Sequence, residues 1–207
     1  MLARILCLTA ACTLAATPMG CAGDSGARRI DDTTSTMAQI EALLDEGESR
    51  VDTLMATISG MEEAENLDRS FREYDRNVRA IQDTADKIRQ RRVALQARAS
   101  EHAVQWEAEA RNLSGRRAQE ISQERRREFE RSVVSVGESL DDLNEAYQPF
   151  LTRLRDLRVL LANDLTRQGV QEARPVRDSV ADAAEDLRAQ SGQTRQTLEQ
   201  ARSSFQR

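Results

Sequence analysis

FERSVVSVGESLDDLNEAYQPFLTRLRDLRVLL, residues 129–161, places Phe129, Val133, Val136, Leu140, Leu143, Tyr147, Phe150, Leu154, Leu157 and Leu161 at alternating steps of four and three. That spacing returns an apolar side chain to the same face of an α-helix on every turn, and it persists for more than four heptads. A stripe of this length needs other helices to cover it. The stretch therefore predicts an all-α fold, an elongated antiparallel bundle or coiled coil.

Three further stripes supply the partners. Met37, Ile40, Leu44, Gly47, Val51, Leu54 and Ile58 share one register, which breaks at Ser59 and Gly60. Thr36 and Gln39 form a candidate capping box near the start of this helix, with Asp31 and Asp32 placed favourably for its dipole. A second register runs from Leu67 through Tyr74, Ile81, Ile88, Leu95, His102 and Trp106 to Leu113, a rod of roughly 70 Å at 1.5 Å per residue. Asn112 to Gly115 read as a turn, and Gly169 marks the end of the third helix. The last stripe holds Val180, Ala184, Leu187, Thr194, Leu198, Ala201 and Phe205. The expected helices are about 33–58, 67–112, 116–166 and 171–206. The middle two form a long hairpin and the shorter outer two pack beside its open end. Arg92, Ala99, His102, Glu109, Ser122 and Arg125 then fall where only two helices cover the seam, a place that tolerates polar residues. Pro149, inside the third helix, predicts a kink near Ala146.

Composition agrees with long helices. The 207 residues are 39% hydrophobic and 31% charged but only 3% aromatic, with three prolines and nine glycines. Residues 22–31, AGDSGARRID, read as a flexible tether ahead of a helical domain spanning 32–207.

The beginning of the chain indicates destination. Arg4, the apolar run from Ile5 to Ala16 and the small residues up to Gly20 have the layout of a secretory signal peptide, residues 1–20, and the run is too short to span a bilayer. Cleavage before Cys21 would leave a cysteine as first residue, and Pro18, Met19, Gly20 and Cys21 resemble the lipobox of bacterial lipoproteins. Cys7, Cys12 and Cys21 are the three cysteines of the chain, so the mature part would hold no disulfide framework. A diacylglycerol on Cys21 would both mask the thiol and anchor the protein. Ordinary cleavage near Ala16 or Ala22, with a soluble secreted product, is the other reading. Ala22 rather than aspartate after the cysteine, by the same resemblance, implies an outer-membrane lipoprotein facing the periplasm. Pro149, Leu151, Leu154, Arg155, Asp156, Leu161 and Leu165 resemble a segment of a family of bacterial lipoproteins classed as a domain of unknown function. That resemblance implies a helical fold and an envelope location, and it brings no activity.

No residue pattern points to catalysis. The lone histidine, His102, stands four residues before the lone tryptophan, Trp106. It could titrate in the seam, and one imidazole with no helical cysteine makes neither a zinc site nor a nucleophile pair. Glu62, Glu63 and Glu65 lack the ligand spacing of a calcium loop and read as a solvated acidic turn. No enzyme, metal or other cofactor is expected.

Charge is distributed unevenly. Residues 31–75 hold 3 basic and 13 acidic side chains, whereas residues 87–131 hold 12 basic and 7 acidic. Arg116, Arg117, Arg125, Arg126, Arg127 and Arg131 concentrate the basic excess near the hairpin tip. One reading is a solvated surface tied by pairs such as Glu107 with Arg111 and Arg126 with Glu130. The other is contact with anionic lipid head groups or an envelope protein, the rod acting as a non-catalytic scaffold or interaction module. A chaperone-like carrier clasping clients between helical arms is the alternative function. Nucleic acid is not expected as a partner of an exported acidic chain. Long seams can also be completed between copies, so a homo-oligomer stays open.

Overall fold

A computed structural model describes residues 22–205, which form five helices: α1 Ala22–Gly60, α2 Leu67–Ala110, α3 Arg116–Asn163, α4 Arg167–Glu172 and α5 Arg174–Phe205. Among these residues there is no strand, and no helix is long and apolar enough to cross a membrane. The signal-peptide region and Cys21 lie outside the described residues.

The four long helices run up, down, up and down. Cross-helix pairs fix each direction: Asn77 of α2 reaches Thr57 of α1 while Arg98 of α2 reaches Thr36, so the two are antiparallel. Arg92 with Asp141 and Arg158 with Asp75 do the same for α2 and α3. Each helix packs on two neighbours, α1 on α2 and α5, and α3 on α2 and α5. The stripes read from the sequence are the core. Met37, Ile40, Leu54, Tyr74, Ile81, Val136, Leu143, Phe150, Leu157 and Val180 are fully buried, in one continuous cluster. The Tyr74 hydroxyl, carried into this interior, donates to the Leu154 carbonyl at 2.5 Å, and burial pushes its pKa well above the usual phenol value.

Acidic side chains of α1 and of the turn after it are paired within the bundle. Four arginines of α5 meet them in antiparallel order: Arg177 with Glu62, Arg188 with Asp52, Arg195 with Asp45 and Glu48, and Arg202 with Glu41. Surface pairs contribute only about 0 to 1 kcal/mol each, but a ladder of opposite signs favours one register and one direction. Glu62, expected in a solvated acidic turn, is instead held by Arg174 and Arg177, whose hydrogen bonds lower its carboxyl pKa.

Several sequence-based boundaries need correction. Residues 22–31 are not a tether but the opening turns of α1. The Thr-rich stretch that resembled a cap is helix interior, where Thr33, Thr34 and Thr36 each donate to the carbonyl four residues back. Such hydroxyls satisfy themselves in a helix as readily as they cap one. With 39 residues, α1 is nearly as long as the 44-residue α2, so only α5 is a clearly shorter flank. The third helix stops at Asn163 rather than 166. The expected last helix is two, α4 and α5, joined at Ala173. Thr166 caps α4 by accepting from the Gly169 amide, and Asp164 accepts from the Thr166 amide and hydroxyl. Pro149 lies inside α3, which continues unbroken through it on an exposed face.

Candidate functional site at the hairpin tip

The tip is built from the end of α2, the turn 111–115 and the start of α3. After Ala110 the chain tightens, with the Arg111, Asn112 and Leu113 amides donating to the carbonyls of Glu107, Glu109 and Ala110. Gly115 starts α3 without a side-chain cap, and the Gln119 amide side chain reaches back to the Leu113 carbonyl at 2.7 Å.

The tip is not covered by two helices alone. Because α1 begins at Ala22, its first turns run beside the end of α2. Arg29 donates from both terminal nitrogens to the two carboxylate oxygens of Glu109, each at 2.7 Å. The same guanidinium stacks over the Trp106 ring, 5.6 Å from its centroid. Trp106 in turn donates to the Ser122 hydroxyl at 3.0 Å and packs on Phe129, which meets Phe205 from the end of α5. All four long helices thus converge on an aromatic plug just inside the tip.

His102 belongs to this plug. It is buried, its ring centroid 6.4 Å from that of Phe129, with Nδ1 3.4 Å from the Thr33 hydroxyl. Thr33 spends its proton on the Arg29 carbonyl, so its oxygen is free to accept and the neutral ring carries hydrogen on Nδ1. Burial lowers the imidazole pKa below 6.5, with Arg29 pushing the same way and Asp32 opposing.

The six arginines singled out from the sequence all sit in ion pairs. Arg116 and Arg117 meet Glu120, Arg125 meets Glu128, Arg126 meets Glu107 and Glu130, and Arg127 and Arg131 meet Glu124. The expected pairs Glu107 with Arg111 and Arg126 with Glu130 are present at 2.7 and 3.6 Å. These six do not form one patch. Arg125 and Arg126 are partly buried along the hairpin, whereas Arg116 and Arg117 stand almost fully in solvent at the apex, beside Arg111. Arg111 was not among the residues singled out, because it was read as half of a helical pair. Its neighbourhood in sequence gave the signal: residues 110–119 contain three arginines and no acidic residue.

A groove of about 430 Å³ opens between α2 and α3 here, lined by Trp106, Glu107, Arg111, Gln119, Gln123 and Arg126 among others. Its polar lining consists of arginine and amide donors, the Glu107 carboxylate and the Ser122 hydroxyl around one indole. Among the described residues no group of three or more His, Cys, Asp or Glu is placed to hold a metal ion. Comparison with protein-family models, curated proteins and solved structures gives no match to this chain.

Proposed function

We propose that this chain is a non-catalytic, lipid-anchored protein of a bacterial cell envelope, its bundle serving as a helical scaffold or interaction module. One observation carries the scaffold reading. Every long apolar stripe is covered by a neighbouring helix, so the molecule offers the outside a rigid charged rod. A clasp for clients would need an open apolar face between its arms, and those residues are buried in the bundle core. The large apolar side chains that remain exposed are Val93, Val104, Ile121, Val134, Val159 and Leu160, spread along α2 and α3.

The anchor is supported by the sequence, in which a short apolar export segment ends at Cys21. Intact-mass analysis of the chain purified from a bacterial envelope tests it. A mature protein beginning at Cys21 and carrying acyl chains is expected, and a free thiol at Cys21 overturns the anchor. Crosslinking in intact cells tests the scaffold role, with discrete adducts to other envelope proteins expected and an uncrosslinked monomer counting against it.

A further inference from the structure

We propose that the hairpin tip is a membrane-contact surface that docks on anionic phospholipid, so that the bundle stands upright with the opposite turn, residues 59–66, facing away. The proposal deepens the lipid-anchor reading by giving the anchored protein an orientation and a lipid partner.

Helix register is the first ground. Arg29 of α1 is clamped to Glu109 of α2. Seven residues earlier, roughly 10 Å back along α1, lies Ala22; six residues beyond Glu109, roughly 9 Å along, lies the Gly115 turn. The start of α1 and the hairpin turn are therefore level. Cys21 immediately precedes Ala22, so an acyl group there would enter the bilayer beside the tip, with no tether between anchor and bundle.

Charge is the second ground. The apex, residues 110–119, carries Arg111, Arg116 and Arg117 with no acid, whereas at the opposite end the turn of residues 59–66 carries Glu62, Glu63 and Glu65, with Arg174 and Arg177 on Glu62 and Arg167 on the Glu62 and Ala64 carbonyls. The apical guanidinium groups have side chains 75%, 94% and 84% exposed. Their partners Glu107 and Glu120 hold them only through weak surface pairs, which phosphate oxygens in a bilayer can replace.

Rigidity is the third. Arg29 is buried and fixed by Glu109 and Trp106 together, so the first turns of α1 are locked to the tip. The far turn then stands roughly 60 Å from the membrane along the 39 residues of α1.

Trp106 is the chain's only tryptophan and lies roughly 9 Å from the apical turn, which makes it a built-in reporter. The first measurement uses the full chain in vesicles whose head groups carry a dansyl acceptor. Strong energy transfer from Trp106 is expected, and little from a tryptophan moved to the far turn (Trp106→Phe with Glu63→Trp). Equal transfer from both positions means a rod lying flat and overturns the proposal.

The second measurement removes the acyl site with Cys21→Ser, so it stands whether or not the anchor reading survives. Binding to vesicles of phosphatidylcholine mixed with phosphatidylglycerol is divided by binding to phosphatidylcholine alone. Replacing Arg111, Arg116 and Arg117 with Gln should lower that ratio by about a hundredfold, while Gln at Arg69, Arg153 and Arg155, exposed near the other end, should leave it unchanged. A ratio that the apical substitutions do not move, or that both sets move alike, overturns the proposal. A free thiol at Cys21 with the apical effect intact would sink the anchor alone.

Discussion

Arg29 and Glu109, eighty residues apart, form a two-pronged ion pair with both nitrogen–oxygen distances at 2.7 Å. The guanidinium side is 8% exposed and the carboxylate side 44% exposed, so the pair stands at the boundary of the aromatic plug, with Trp106 under the cation. Its Nε has no partner. This one contact ties the first helix to the hairpin tip.

Replacing Arg29 with Ala removes a charge-assisted pair and a cation–π contact, which together should lower stability by about 2 kcal/mol. The loss should be local before it is global. Hydrogen exchange should accelerate over residues 26–36 while amides near Leu54 and Leu157 keep their protection. Uniform acceleration along α1 would show that the first turns do not depend on this clamp.

Three glycines make a graded test of packing. At Gly169 an added Cβ would lie 2.3 Å from the Asp164 carbonyl oxygen, a backbone atom that cannot step aside, so Gly169→Ala should destabilise by more than about 2 kcal/mol. At Gly47 it would lie 2.9 Å from the Tyr147 hydroxyl, at the end of a stiff ring. The helix-propensity gain of about 1 kcal/mol is offset there by overpacking, leaving Gly47→Ala neutral to destabilising. Gly192 in α5 has nothing within 4 Å, and Gly192→Ala should stabilise by about 0.5 to 1 kcal/mol. Urea midpoints should follow the order Gly192, Gly47, Gly169.

The bundle was legible in the sequence because the seams repeat strictly. Leu140, Leu143 and Tyr147 of one stripe and Ile81, Ala85 and Ile88 of another need partners whatever the loops do, and they are buried as expected. The start of α1 was illegible because its inward positions are Arg29, Thr33 and Thr36, polar residues buried by pairing rather than by hydrophobicity. A pattern of apolar periodicity does not register a guanidinium satisfied by a carboxylate from eighty residues away. The tip was half legible for the same reason: residues 87–131 showed their basic excess, but which arginines reach the apex depends on where α2 ends, and that is set by the turn at 111–115.

Pro149 removes one amide donor from α3 and crowds the preceding turn, yet the helix is continuous and the residue faces solvent. Pro149→Ala should therefore raise stability by about 1 to 3 kcal/mol, read as a higher urea midpoint with an unchanged slope. A lower midpoint would mean that the proline is needed to seat Phe150 and Leu151 in the core.

His102 sets a pH dependence whose sign follows from its burial. Its folded pKa is lowered below 6.5 by desolvation and by Arg29 and Arg98, against the opposing pull of Asp32 and Glu101. Below 6.5 the unfolded chain binds a proton that the folded chain resists, so stability present above that pH is lost as pH falls toward the folded value, with a slope of up to about 1.4 kcal/mol per pH unit. His102→Gln keeps a hydrogen-bonding side chain beside Thr33 and removes the proton. The difference in unfolding free energy between wild type and His102→Gln should therefore shift in favour of the variant from pH 7 to pH 5, since carboxylate titrations common to both cancel. A constant difference across that range would mean that the ring is protonated in place without cost, and that the plug at the tip is wetter than its geometry requires.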